Sequence, residues 1–150
     1  MTPPPGTPKT VEQAAALPFR RRDDQIEVCL VTTRTTGRWS IPKGFIEPGD
    51  TAARTAGKEA REEAGVHGRV VGGPVGYYEI IKFDARFTVA VYLLEVDRVE
   101  VEWDEQDVRA RRWVTADEAV GLLEGRPVEP VFRRGLTRIA AQAVHRGSTR

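Results

Sequence analysis

Three glutamates, Glu59, Glu62 and Glu63, lie within five consecutive residues of the chain. Spacings of three and four residues put side chains on one face of a helix, so these carboxylates would cluster on a helical segment. Clustered carboxylates repel one another, and two environments relieve that repulsion. One is a solvated acidic face balanced by neighbours such as Lys58 or Arg61. The other is a hard divalent cation such as Mg²⁺, which prefers oxygen ligands and is often shared with substrate phosphates.

The residues that flank the glutamates predict a loop followed by a helix. Pro48 and Gly49 are turn formers, and either Asp50 or Thr51 can cap the helix that the following alanine-rich run favours. Gly65 is placed to end that helix. A glycine-rich turn before the helix allows backbone to approach a bound group closely, which favours the cation over the solvated face.

The stretch from Gly44 to Val66 resembles the Nudix box, G-x5-E-x7-R-E-U-x-E-E-x-G-U, in which U is a bulky apolar residue. The positions that match are Gly44, Glu59, Glu62, Glu63, Gly65 and Val66. The positions that depart are Asp50 in place of Glu, Lys58 in place of Arg and Ala60 in place of the apolar residue. In the family the Glu and Arg pair to brace the loop against the helix. The resemblance implies the same role for Asp50 and Lys58, although a lysine cannot form the bidentate fork.

The resemblance implies an α/β fold, a Nudix-type α/β/α sandwich with a mixed β-sheet and the box helix against the sheet. It also implies an enzyme that hydrolyses a diphosphate linked to another moiety, with Mg²⁺ or Mn²⁺ as the cofactor. Divalent cations neutralise the phosphate charge and acidify a bound water. On this basis Glu59 and Glu63 are the expected metal ligands, with a backbone carbonyl near Gly44 as a third. Glu62 is the expected catalytic base, or a further ligand.

Beyond the box, residues 28–136 are similar to the diphosphoinositol polyphosphate phosphohydrolases. The segments that carry this similarity include Leu30-Val31-Thr32-Thr33-Arg34, Arg111-Arg112-Trp113 and Arg126-Pro127-Val128. By that resemblance, the residues expected to contact phosphates are Thr32, Thr33, Arg34, Arg109 and Arg126. Pro42-Lys43-Gly44 instead resembles the diadenosine tetraphosphate hydrolases. The expected substrate is therefore a dinucleoside polyphosphate or a diphosphoinositol polyphosphate.

Other basic residues beside the box or in later loops are further candidates for phosphate contacts, namely Arg38, Lys43, Lys82 and Arg86. Each of these four residues, taken alone, is equally typical of an ordinary exposed surface charge. Lys43 is the best placed of them, because it is adjacent to Gly44.

Two other functions stay open. An ADP-ribose or nucleoside triphosphate pyrophosphatase would stack a base on aromatic side chains such as Tyr77, Tyr78 or Phe83, although core packing also accounts for such residues. A non-catalytic Nudix domain that senses a phosphorylated ligand is compatible with the departures at Asp50 and Lys58. The three intact glutamates argue against it.

The remaining pattern predicts the elements that position the box. Strands are expected at 14–19, 26–33, 69–83, 87–96 and 111–114. The apolar run of 87–96 is nearly continuous, which predicts a central strand covered on both faces. Thr115 begins a helix with capping-box character that ends near Gly125. Apolar residues at helical spacing predict a C-terminal helix over 130–145.

The composition is that of one ordinary globular domain, with 40% hydrophobic and 30% charged residues in a chain of 150. Residues 1–10 hold four prolines and are expected to be a disordered tail, so 11–150 is the expected Nudix hydrolase domain. A net charge of +1 gives no support for a nucleic-acid partner. The single cysteine, Cys29, fits a cytoplasmic location, and no apolar run is long enough for a membrane span. The expected partner is a small phosphoanhydride substrate, and the sequence carries no indication of oligomeric state.

Overall fold

A computed structural model describes residue 6 and residues 9–148 of the chain, with side chains described up to residue 142. The strands are β1 (Lys9–Arg22), β2 (Gln25–Thr32), β3 (Trp39–Ser40), β4 (Lys43–Phe45), β5 (Val66–Lys82), β6 (Ala85–Val99) and β7 (Arg111–Thr115). The helices are α1 (Ala52–Ala64), α2 (Ala116–Leu122) and α3 (Glu129–Ser148). No helix of this described part is long and apolar enough to cross a bilayer.

The described strands form one seven-stranded mixed sheet in the order β3-β2-β1-β6-β5, with β4 paired to β1 and β7 paired to β2. β1 runs parallel to β6, and the remaining pairs are antiparallel. Strand β6 lies between β1 and β5, with α1 packed on one face of the sheet and α3 on the other. The α/β class, the mixed sheet and the central strand predicted over 87–96 are therefore confirmed.

Successive side chains of β1 point to opposite faces of the sheet, and a separate hydrophobic core lies on each face. Leu17 belongs to the cluster that includes Phe132 of α3. Ala16 belongs to the opposite cluster, which includes Ala60 of α1. Ala60 is completely buried, so the small residue at this position of the box allows the helix to lie close to the alanines of β1.

Helix α1 has a side-chain cap at one end and a glycine at the other. The backbone N–H of Arg54 donates to Thr51 Oγ1 at 3.1 Å, so Thr51 and not Asp50 is the N-cap. Gly65 adopts a φ of 65° and its N–H donates to the carbonyl of Arg61 at 3.0 Å, which ends the helix where the sequence predicts.

Several boundaries differ from the sequence-based expectations. β1 begins at Lys9, inside the segment expected to be a tail, and residues 1–5 and 7–8 lie outside the described residues. β1 and β2 meet at the two-residue turn Asp23–Asp24, with left-handed φ values of 51° and 65°. Residues 20–22 and 25, which lie between the strands expected at 14–19 and 26–33, are therefore also strand. Glu118 does not complete a capping box, because its carboxylate binds Arg112 at 2.5 Å.

Candidate active site

Glu59 and Glu63 lie one turn apart on α1 and face the short strand β4. The Glu59 carboxylate lies so close to Gly44 that a Cβ at position 44 would be 2.3 Å from Glu59 Cδ. The backbone N–H of Lys43 donates to Glu63 Oε1 at 3.3 Å. Both expected metal ligands therefore lie beside the backbone segment that was expected to supply a carbonyl ligand.

Glu63 is a buried carboxyl that forms an ion pair with Arg109. Its side chain is 6% exposed, and its Oε2 is 3.4 Å from Arg109 Nη2. Burial raises the pKa of Glu63 to about 8; Arg109 opposes this shift, and hydrogen bonding to Glu59 adds to it. Burial likewise raises the pKa of Glu59. The pKa values of the two carboxyl groups depend on each other, so the pair titrates as one unit.

Glu62 lies on the same turn of α1 and is half-buried. Its main-chain carbonyl accepts a hydrogen bond from the N–H of Glu105 at 3.1 Å. Its charge contributes to the raised pKa of Glu59, so the two carboxylates are electrostatic neighbours. The structure therefore keeps all three glutamates of the motif in one region of α1.

Arg109 reaches the site from the loop that follows β6, and its guanidinium is held by protein groups. Nε donates to Glu105 Oε1 at 2.7 Å, and Nη1 donates to the carbonyl oxygen of Thr32 at 2.9 Å. The hydroxyl of Thr32 in turn accepts a hydrogen bond from the N–H of Ala110 at 2.9 Å. The arrangement orients Arg109 towards Glu63 and ties the end of β2 to the later loop.

Lys43 connects the carboxylates to the opposite face of the sheet. Its Nζ donates to Gln13 Oε1 at 3.3 Å, and Gln13 is almost completely buried in β1. Burial lowers the pKa of Lys43, and the charge of Lys82 lowers it further. Two of the basic residues singled out in the sequence, Lys43 and Lys82, are therefore neighbours in the fold.

A second basic group lies near the start of α3. Nη1 of Arg126 donates to the carbonyl of Trp39, and both burial and the charge of Arg38 lower the pKa of Arg126. Thr33 lies in the loop after β2, where its hydroxyl is 2.6 Å from that of Thr36. Arg38 and Arg126, remote in sequence, are brought together.

The other side chains considered in the sequence differ in their exposure and in their partners. Arg34 and Arg86 are exposed and have no ion-pair partner within residues 9–142. Tyr78 is buried, whereas Tyr77 and Phe83 are exposed. Of the two histidines, His67 lies 3.0 Å from Glu100, and the side chain of His145 is outside the described residues.

The brace expected between Asp50 and Lys58 is not found among the described side chains. Asp50 Oδ1 instead lies 3.9 Å from Nε of Arg54, one helical turn along. Lys58 is two turns from Asp50 and borders a groove with Arg54 and Arg61. Because Arg54 lies nearer to Asp50 on the helix, it takes the place that the resemblance assigned to Lys58.

Sequence reasoning missed four residues that hold the site together, namely Gln13, Trp103, Glu105 and Arg111. Trp103 Nε1 donates to the main-chain oxygen of Glu63 at 2.9 Å. Arg111 lies 4.0 Å from the Trp103 ring centroid and donates to the carbonyl of Ala64 at 2.8 Å. A glutamine within a buried run of alanines is a signal that could have identified Gln13. The acidic stretch around Trp103 carries no comparable signal.

The donor set of the site fits a hard divalent cation. Within the described residues no three His, Cys, Asp or Glu side chains converge as a preformed metal cage. Mg²⁺ does not require one, because it is commonly held by one or two carboxylates together with substrate phosphates. Burial raises the pKa values of Glu59 and Glu63, and a divalent cation beside both carboxylates would favour their charged forms. All the available donors are oxygens, which suits Mg²⁺ or Mn²⁺.

Comparison with protein families and sequences gives consistent matches. A family model described as the NUDIX domain matches residues 10–134. Diphosphoinositol polyphosphate phosphohydrolase 2 of Rattus norvegicus is 29% identical over 115 residues, which cover 75% of this chain and 63% of that protein. Diphosphoinositol polyphosphate phosphohydrolase 3-alpha of Homo sapiens is 31% identical over 116 residues, which cover 75% of this chain and 69% of that protein. The chain spans less than two thirds of the length of the rat relative.

Comparison with solved structures supports the same fold. Ap4A hydrolase of C. elegans superimposes with a TM-score of 0.74 at 18% sequence identity, covering 87% of this chain and 98% of that one. At this identity the likeness concerns the fold. It confirms the sandwich architecture expected from the sequence.

Proposed function

Because the chain belongs to the Nudix family, we propose that it is a hydrolase that cleaves a pyrophosphate bond with the help of Mg²⁺ or Mn²⁺. The observation that supports this most directly is the convergence of Glu59 and Glu63 on the backbone of Lys43 and Gly44. A solvated acidic face would leave these carboxylates in water. Here Glu63 is buried, and burial raises the pKa values of both carboxyl groups, which is typical of a functional site.

The proposed mechanism assigns one task to each group. Glu59, Glu63 and the backbone carbonyl near Gly44 would hold the cation, which neutralises phosphate charge and acidifies water when it is bound. Glu62 accepts the proton of the attacking water as the oxygen–phosphorus bond forms. The anhydride bond then breaks and the departing phosphate carries away the electron pair. Arg109 keeps Glu63 in orientation through its contact with Oε2.

The proposed substrate is a dinucleoside polyphosphate or a diphosphoinositol polyphosphate. The names of the relatives support the second, and the structural likeness to an Ap4A hydrolase is compatible with the first. Lys43 contacts Glu63 through its backbone N–H, while Arg38 and Arg126 form a second cationic group. A chain of phosphates that runs between these two groups would be bound at both ends. Thr32, Thr33, Arg34 and Arg86 remain candidate contacts of such a chain.

The test is the hydrolysis of diadenosine tetraphosphate and of a diphosphoinositol polyphosphate by purified wild-type protein with Mg²⁺, followed by the variants Glu62→Gln and Glu63→Gln. We expect kcat to fall by about 10²-fold or more in each, with the fold retained. Glu47→Gln is the matched control, because Glu47 is an exposed carboxylate in the loop before α1. Its rate should equal that of the wild type.

Near wild-type hydrolysis by either box variant would overturn the site assignment. Failure of the wild-type protein to turn over any substrate, together with tight binding of one of them, would overturn the hydrolase proposal. That result would identify the domain as a sensor of a phosphorylated ligand.

A further inference from the structure

Phenylalanines cluster on the sheet face beside the candidate active site. Phe45 is 56% exposed and Phe83 is 89% exposed, whereas Phe87 is half-buried. The rings of Phe45 and Phe87 are 6.3 Å apart and tilted by 45°. Exposed aromatic side chains scattered singly need no explanation, but a contiguous group of them marks an interaction surface.

The sheet register places these rings on the same face as Lys43. Gln13 of β1 lies opposite Phe45 in β4 and opposite Val89 in β6. Side chains two residues apart on a strand share a face, so Lys43 and Phe87 lie on the face of Gln13. The hydrogen bond from Lys43 Nζ to Gln13 Oε1 agrees with this placement. Lys43 therefore contacts Glu63 through its backbone N–H and shares a sheet face with the rings through its side chain.

The strip formed by Phe45 and Phe87 lies at the end of the sheet face that α3 covers elsewhere. Gly135 of α3 packs against Leu17 and Leu93, which are several residues further along β1 and β6 than Gln13 and Phe87. Neither Phe45 nor Phe87 belongs to the described core cluster that includes Phe132 of α3, and Phe45 is 56% exposed. This end of the face lies beside Lys43, whose backbone N–H contacts Glu63.

Lys82 adds a positive charge to the strip. Its Nζ lies 5.4 Å from the Phe87 ring centroid and 6.0 Å from that of Phe83. Lys82 makes no ion pair within residues 9–142. An ammonium on an aromatic surface without a carboxylate partner is available to an anionic ligand.

Phe83 lies at the tip of the hairpin between β5 and β6. Phe83 and Asp84 form its two-residue turn, with the left-handed φ values of 52° and 57° that such a turn requires. The side chain of Phe83 is 89% exposed, so its ring is available to a ligand.

We propose that Phe45, Phe83, Phe87 and Lys82, named here the aromatic shelf, bind a nucleobase of the substrate, which makes the substrate a dinucleoside polyphosphate. This rests on the proposed hydrolase function. A purine is flat and stacks on phenylalanine, whereas a phosphorylated inositol has no aromatic face and requires several cations. The shelf holds three rings and one cation. Its position beyond Lys43 places the base at one end of a phosphate chain that begins at the carboxylates.

The test compares substrates with and without a base in Phe45→Ala and Phe87→Leu. For diadenosine tetraphosphate we expect KM to rise by about 5- to 150-fold, which corresponds to the roughly 1–3 kcal/mol of one base stack. With inorganic tetraphosphate, which has no base, KM and kcat should remain those of the wild type. Phe45 is exposed, so its truncation leaves the fold intact, and Phe87→Leu retains apolar packing.

Ile81→Ala is the matched control, because Ile81 is 62% exposed and precedes Lys82, so that it points to the opposite face. It should leave both substrates unaffected. Equal losses with and without the base, or no change in either, would overturn the aromatic shelf. A dimer in sedimentation that Phe45→Ala dissociates would overturn it in favour of a self-association surface.

Calorimetric titration of adenosine monophosphate into the same proteins separates this inference from the hydrolase proposal. Weaker binding by Phe45→Ala than by Ile81→Ala supports the aromatic shelf even if the wild-type protein hydrolyses nothing. Equal binding by the two variants contradicts it even if hydrolysis is observed.

Discussion

Substituting Gly44 with alanine tests whether the approach of Glu59 to β4 positions a metal ligand. The added Cβ would lie 2.3 Å from Glu59 Cδ and 2.4 Å from Oε1, whereas ordinary contact begins at 3.4 Å. The carboxylate must therefore retreat by about 1 Å. A misplacement of that size at a catalytic group costs roughly 10²-fold in rate.

The stability of the fold should change little in Gly44→Ala. The atoms that clash belong to the end of a flexible, half-buried side chain, so the backbone does not need to move. We expect the free energy of unfolding to stay within about 1 kcal/mol of the wild type while kcat falls by about 10²-fold. Urea denaturation and Mg²⁺-dependent phosphate release from diadenosine tetraphosphate measure the two quantities separately.

Gly57→Ala is the control for this prediction. A Cβ at Gly57 would meet nothing within 4 Å, so close packing does not explain this glycine. Alanine in the interior of α1 should raise the free energy of unfolding by about 0.5–1 kcal/mol and leave the rate unchanged. In a Glu59→Gln background, Gly44→Ala should add little, because both changes act on the same ligand. Wild-type activity in Gly44→Ala would refute the argument, as would an equal loss in Gly57→Ala.

Three further predictions concern the groups around Glu63. Arg109→Gln should lower the free energy of unfolding, measured in urea, by about 1–3 kcal/mol, because it removes hydrogen bonds to Thr32 and Glu105 within a largely buried cluster. An unchanged free energy of unfolding would show that Arg109 does not stabilise this cluster. In the metal-free protein, folded Glu63 retains a proton that the unfolded chain releases, so stability should fall as the pH rises from 4.5 to about 8, by up to about 1.4 kcal/mol per pH unit. Thermal denaturation should then show greater stabilisation by Mg²⁺ at pH 8 than at pH 6, and equal effects would contradict it. Gly65→Ala should cost more than about 1 kcal/mol, measured as a lower midpoint in urea, because φ is 65° and the new Cβ would lie 2.6 Å from Trp103 Cβ; an unchanged midpoint would contradict this.

Local features of the fold could be predicted because their causes are local. A cap at Asp50 or Thr51, which the structure assigns to Thr51, and the stop at Gly65 depend on hydrogen bonds and a φ value within a few residues of each helix end. The central position of β6 follows from its apolar run, since a strand covered on both faces has no polar side. The spacing of the three glutamates needs only the helical period to cluster them.

Pairings between distant segments could not be predicted in the same way. Asp50 was matched to Lys58 by resemblance, but the helix brings Arg54 nearer. Trp103 supports Glu63 from a loop 40 residues away, and no periodicity in that loop indicates it. Such contacts depend on where loops cross the sheet, which a pattern of residue types does not record.

For this protein, the sequence by itself determined the class of fold, the family and the cluster of glutamates on one helix, because helical spacing and strand alternation are properties of neighbouring residues. Only the tertiary structure decided that Glu63 is buried against Arg109, and that Lys43 contacts Glu63 and shares a sheet face with the rings of Phe45 and Phe87. Burial and sheet register, which set the charge state of the site and the surface beside it, exist only once separate segments pack together.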